Sequence, residues 1–184
     1  MLFLLKRTWA GGVAGLIVLS LLGTGLRHLL GTGPDIGLSL HTALLGLCVC
    51  ALLLGSDAVL HGLFCWLLRQ SYRRRYFELS ALYHGQTGAA MLAGAALAGI
   101  GEELVFRGLS TSPAFLVAGA VLFGLLHHVR RSLWPFTLWA IYEGLLLAAA
   151  LYVTGLLGVT MEAHFLHDLV GFAIFRRVNR GNTQ

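Results

Sequence analysis

The chain is a series of long apolar runs separated by short polar stretches. The runs cover about Trp9–Leu26, Ile36–Leu68, Gly88–Arg107, Pro113–His128, Leu133–Val153 and Leu156–Phe175. Most are near 20 residues, and none alternates with period two. About 20 apolar residues at 1.5 Å each make a helix that crosses the roughly 30 Å of bilayer hydrocarbon. Hydrocarbon gives backbone groups no partners, so a span is either a helix or part of a closed barrel. Barrel strands would be about ten residues long and would alternate. The pattern therefore predicts an all-α fold, a polytopic transmembrane helix bundle of about six spans. The run 36–68 is long enough for one tilted helix. It also fits a span with a broken segment near Ser56-Asp57, which would raise the count to seven or eight helices.

The polar stretches fit this reading. Gly31-Thr-Gly-Pro34-Asp35 is a turn cluster. Arg69–Glu78 is basic and aromatic, as expected of an interfacial stretch, and the tail Arg176–Gln184 is polar and expected to fray. The first run is too long and Gly-rich for a cleaved signal peptide and lacks a small-residue cleavage site, so it reads as the first span. With no repeat and no soluble linker, 1–184 reads as one integral membrane domain. Gly and Ala crowd 88–101, which favours close helix–helix approach.

Composition agrees. The 184 residues are 57% hydrophobic and 11% charged, against about 25% charged in a soluble domain. Mean hydropathy is +0.79. The formal charge of +5 is clustered at Lys6/Arg7, at Arg69 with Arg73–Arg75, at Arg130/Arg131 and at Arg176/Arg177/Arg180. Basic clusters beside apolar spans anchor the cytoplasmic side. With the bacterial inner membrane as the expected location, they predict a multi-pass protein with both termini cytoplasmic, and they require 36–68 to cross once. The bilayer is then the main partner. Nucleic acid is not a partner, because no separate basic domain exists. Cys48, Cys50 and Cys65 lie in apolar runs without metal-ligand spacing and read as small core residues, not as thiol nucleophiles in a histidine-rich context.

Against this background Glu102-Glu103-Leu-Val-Phe-Arg107 stands out. An ionised group at membrane depth costs about 2.5–3.5 kcal/mol on insertion scales, so such groups are rare there and usually functional. On a helix Glu103 and Arg107 are four apart and share a face, in the favourable order. Glu102 lies about 100° round the helix and points elsewhere. Glu103 and Arg107 thus neutralise each other and fix the local geometry. Glu102, with less compensation in an apolar pocket, is suited to exchange a proton as general base or acid. The plainer reading is a structural ion cluster where helices meet.

Two more segments carry histidine. Phe123-Gly-Leu-Leu-His127 puts a histidine one turn after an aromatic, with His128 next to it; either could simply be an interfacial residue beside Arg130/Arg131. His164-Phe-Leu-His167-Asp168 puts His164 and Asp168 on one face. An Asp–His hydrogen bond could do no more there than satisfy buried polar groups.

Glu-Glu-x-x-x-Arg, Phe-x-x-x-His and His-x-x-x-Asn/Asp, in that order on separate membrane helices, resemble the CPBP family of intramembrane endopeptidases (CAAX protease and bacteriocin-processing, or Abi). The motifs, with the flanking Gly101 and Gly108, cover about 88–176, which is then the expected catalytic core. The resemblance implies a glutamate-dependent endopeptidase acting on a peptide bond of a membrane-anchored protein, such as a C-terminal sorting or processing signal. A prenylated CAAX substrate is less expected in so compact a chain. Glu102 and His127 would activate water, His164 and Asp168 would stabilise the oxyanion, and Glu103 and Arg107 would be structural support. The fourth position is often Asn in the family, and an ionised Asp168 would repel an oxyanion. It must be protonated, or act by orienting a cationic His164. No cofactor is expected. A zinc-dependent variant, with His127 and His164 as ligands, ranks second because His-Glu-x-x-His is absent.

The motifs must also meet at one depth. Counted from a turn at Leu109–Pro113, Glu102 lies about 10 Å deep and His127 about 20 Å. An irregular or interfacial Ser110–Ala118 would remove that mismatch. Two functions of other classes use the same residues: a non-catalytic immunity or chaperone-like membrane protein, and a proton or ion pathway.

Overall fold

The computed structural model describes residues 9–83 and 85–180. The pair Lys6/Arg7 and the end of the tail, 181–184, lie outside the described residues. Among the described residues six α-helices follow one another: α1 (Trp9–Leu30), α2 (Leu40–Ala81), α3 (Gly88–Phe106), α4 (Pro113–Leu126), α5 (Trp134–Thr154) and α6 (Leu157–Arg180). A short 3-10 turn, Arg131–Leu133, leads into α5. The fold is the expected all-α, polytopic membrane bundle. Val13–Leu30, Leu40–Ala81, Gly88–Phe106 and Arg131–Thr154 are long and apolar enough to cross a membrane. At 14 residues α4 is about 21 Å long, shorter than the hydrocarbon core. In α6 the length suffices, and the polar residues of the site sit on it.

Helix starts are set by hydroxyl caps. Ser39 accepts from Thr42 N, Thr87 from Ala90 N and Ser112 from Phe115 N, with Pro113 opening α4. Gly155, at φ 69°, closes α5 in the left-handed conformation. The loops at one end of the bundle are tied together. Arg27 Nη1 donates to Gly108 O at 2.6 Å, and Leu157 N donates to Asp35 O at 2.7 Å. The basic clusters Arg73–Arg75, Arg130/Arg131 and Arg176/Arg177 flank the opposite end.

Helix α1 packs on α3, α2 on α6, α4 on α5, and α6 on α3. The Gly-rich face of α3 allows one close approach among these. A Cβ on Gly99 would lie 2.8 Å from Met161 O and 3.0 Å from Phe165 N. Backbone atoms cannot yield as a side chain would, so α3 and α6 approach this closely only over glycine.

Two expectations are corrected. No break falls near Ser56-Asp57, where α2 runs on as helix; the break is at Arg69, at φ 49° and ψ −127°. Beyond it the chain folds back. His61 Nδ1 lies 3.2 Å from Tyr72 OH, whereas residues eleven apart in a straight helix are about 16 Å apart. The Arg69–Glu78 stretch thus becomes a helical arm with Tyr72 fully buried and Arg74 exposed. Its aromatics hold it down: Tyr72 stacks on Phe136 and Tyr76 meets Phe175 edge-on.

Second, 113–118 is helical, not irregular. The depth mismatch is removed by offset instead. Gly119 sits against Phe106 O, so the first six residues of α4 extend past the end of α3. From that crossing the two helices run antiparallel. Going one turn back along α3 to Glu102 matches going one turn forward along α4 to Phe123. Helical side chains lean toward the N-terminus, so His127 reaches back toward the same level.

Candidate active site

Glu103 and Arg107, fully buried, form the foundation of the site. Arg107 ends α3, and its side chain folds back one turn so that Nη1 donates to Glu103 Oε1 at 2.7 Å. Its Nη2 donates to Gly144 O of α5 at 3.1 Å, and the guanidinium lies over the Phe123 ring of α4 at 4.7 Å. One cation therefore ties three helices. Glu103 Oε1 also accepts from His164 Nδ1 of α6 at 2.8 Å, which adds a fourth. An ionised carboxylate only accepts, so His164 carries a proton on Nδ1 and turns Nε2 the other way.

That Nε2 faces Glu102 Oε2 at 3.8 Å and Asp168 Oδ2 at 3.9 Å. On the other side of Glu102, His127 Nε2 lies 3.9 Å from the same Oε2. His127 caps the end of α4, and its Nδ1 donates to Phe123 O at 2.8 Å, since a carbonyl can only accept. Its Nε2 is turned toward Glu102. The structure thus brings Glu102, His127, His164 and Asp168 together, and it holds Glu103 and Arg107 behind them. His128 turns away, with Nδ1 2.9 Å from Thr137 Oγ1.

Exposure grades across the group. The side chains of Glu102 and His164 are 5% and 6% exposed, while Asp168 and His127 reach 26% and 34%. Glu102, His127 and Asp168 line a cavity of about 530 Å³. Its wall is aromatic, with Tyr76, Tyr83, Phe136, Trp139, Phe172 and Phe175. A polar group of reactive residues in one corner of an apolar cavity is the usual form of a site for a largely apolar ligand.

Sequence reasoning missed a second polar group on the same cavity. Asp57 of α2 and Glu143 of α5 meet His167 of α6: His167 Nε2 lies 2.5 Å from Asp57 Oδ2 and 3.3 Å from Glu143 Oε1. Trp139 Nε1 donates to Asp57 Oδ1 at 2.7 Å. The signal was present, because Asp57 and Glu143 are lone acids in apolar runs and the cost that singled out Glu102 applies to them equally. Among the described residues, this trio is the His/Cys/Asp/Glu group whose ligand atoms all lie within 4.8 Å of one another. It is not the His127 and His164 pair expected for a zinc variant.

The cysteines are free. Cys50 packs with Leu53, Leu147 and Ala163 as a small apolar residue. Cys65 differs from expectation, as its Sγ lies 3.6 Å from His61 Nε2, one turn away.

No curated protein and no solved structure matches the chain. A family model does, over residues 84–170, and its description is type II CAAX prenyl endopeptidase Rce1-like. The matched stretch holds all seven defined residues of the three motifs and ends two residues past Asp168. In that stretch, a little under half of its length, the chain is similar to the CPBP, or CAAX protease, family of membrane endopeptidases.

Proposed function

We propose that this protein is a glutamate-dependent intramembrane endopeptidase that cleaves one peptide bond of a membrane-anchored protein. The observation that carries the reading is the placing of Glu102 Oε2 between His127 Nε2 and His164 Nε2, at 3.9 and 3.8 Å, in the corner of an aromatic cavity. A water bound there gives its proton to Glu102, with His127 Nε2 as second acceptor, and its oxygen adds to the scissile carbonyl. The oxyanion forms against His164. Three carboxylates, Glu102, Glu103 and Asp168, lie within 4 Å of that ring, so a cationic His164 is compensated from three sides. This supports Asp168 as the residue that orients His164, not as a direct oxyanion donor. The C–N bond then breaks as the leaving amine takes the proton held by Glu102.

The catalytic core is 88–176, with Glu103 and Arg107 as its fixed frame. The aromatic wall favours a substrate that brings an apolar segment of its own, as a protein with a C-terminal membrane sorting signal does. The basic clusters favour cytoplasmic termini, and with them a Glu102 in the half of the membrane facing away from the cytoplasm. The test is cleavage of a co-expressed candidate substrate by the wild type and by Glu102→Ala. The reading expects a product from the wild type alone. Equal cleavage by both would overturn it.

A further inference from the structure

Asp57, Glu143 and His167 contribute to none of the steps above, yet each is a part-buried polar residue within an apolar run, on a different helix. We propose that they form a binding site for a divalent transition-metal ion, with zinc the best fit.

The donor set is one imidazole nitrogen and two carboxylates, all within 4.8 Å of one another. Zinc takes nitrogen and carboxylate ligands at about 2.0–2.2 Å in tetrahedral geometry, which places neighbouring ligand atoms about 3.3–3.5 Å apart. His167 Nε2 and Glu143 Oε1 already stand at 3.3 Å. Asp57 Oδ2, at 2.5 Å from the same nitrogen, needs to swing outward by less than 1 Å. Without a metal, the proton on His167 Nε2 occupies the place of the ion and is shared by the two carboxylates. All three residues line the cavity, so a fourth coordination position opens onto it. Calcium and magnesium demand six or more oxygen ligands, and copper(I) prefers sulfur, so this set suits neither.

The residues behind the ligands are an independent observation. Trp139 Nε1 donates to Asp57 Oδ1, which leaves Oδ2 for the ion. His167 Nδ1 faces Asp168 Oδ1 at 3.9 Å, so the ring lies between a carboxylate and the trio. A metal-bound histidine almost always has such a carboxylate, carbonyl or water on its other nitrogen. Charge points the same way. Two carboxylates around one imidazole leave an excess of negative charge in an apolar interior, and a dication removes it. The ion would join α2, α5 and α6, three of the helices that line the cavity.

The test uses the full chain purified in detergent, stripped with a chelator and titrated with Zn²⁺ alone, then with Co²⁺. We expect one equivalent bound, protons released on binding, and a rise in melting temperature. Asp57→Asn, His167→Ala and the near-isosteric Glu143→Gln should each weaken binding at least tenfold, consistent with the loss of a ligand, while helical content stays at the wild-type level. Glu102→Ala and His127→Ala should bind the ion as the wild type does. No bound equivalent in the wild type would overturn the proposal. So would full binding by Asp57→Asn and Glu143→Gln, or loss of binding in Glu102→Ala, which would assign the ion to the other residues of the cavity.

Discussion

His164 Nδ1 donates to Glu103 Oε1 across 2.8 Å, and the same oxygen takes Arg107 Nη1 at 2.7 Å. Glu103 is thereby committed to two donors, and the histidine ring is fixed with Nε2 toward Glu102 and Asp168. Adjacent glutamates in the sequence thus do different work. One sets the angle of a histidine, and the other faces the cavity beside it.

The first prediction concerns that frame. Removing Arg107 leaves Glu103 buried with much of its compensation gone, a change that costs about 3–5 kcal/mol. Arg107→Ala should therefore melt well below the wild type in detergent. Arg107→Lys should fall between them, since one ammonium cannot reach Glu103 and Gly144 O as a planar guanidinium does. A wild-type melting temperature for Arg107→Ala would contradict the frame.

His127 should behave in the opposite way. Its side chain is one-third exposed on the cavity wall, and it is held by its Nδ1 bond to Phe123 O and by contact with the Phe123 ring. His127→Ala should lower cleavage about 10²–10⁴-fold, the range of a lost proton-transfer group, with little loss of thermal stability. Parallel loss of both would make it a structural residue.

Asp168 permits a finer test. If it orients a cationic His164, its charge is part of that role, and an amide of the same shape keeps the contact without the charge. Asp168→Asn and Asp168→Ala should both lower cleavage, by about 10²–10³-fold, the usual effect of disturbing an oxyanion site. Wild-type cleavage by Asp168→Asn would mean that the carboxylate charge does not matter and would contradict that role.

A fourth prediction is about packing. Gly99→Ala places a methyl against Met161 O and Phe165 N of α6 and forces α3 and α6 apart. Overpacking of this kind costs about 1–3 kcal/mol. The shift also moves Glu102 and Glu103 away from His164, so melting temperature and cleavage should fall together. Unchanged cleavage in a destabilised Gly99→Ala would mean that the α3–α6 distance does not set the site.

Much of this was legible in the chain. Run lengths near the bilayer thickness gave six helices, and helical spacing alone separated Glu103–Arg107 from Glu102. What the sequence could not give was long-range. Whether α2 breaks at Asp57 or Arg69 depends on the aromatic contacts of Tyr72 and Tyr76 with Phe136 and Phe175, which lie on other helices. The depth of His127 depends on the offset between α3 and α4 at Gly119, and no count of residues from a turn contains it. Asp57, Glu143 and His167 are 24 residues or more apart along the chain, so their meeting had no local pattern to reveal it.

The central claim is that Glu102, and not its neighbour, activates the water. Its most direct test is mass spectrometry of protein termini in membranes from cells that lack the protein and are supplied with wild type or with folded Glu102→Gln, a substitution that keeps shape and removes the base. The account predicts new termini near apolar C-terminal segments with the wild type and none with Glu102→Gln. The same termini with Glu102→Gln, or none with the wild type, would contradict it.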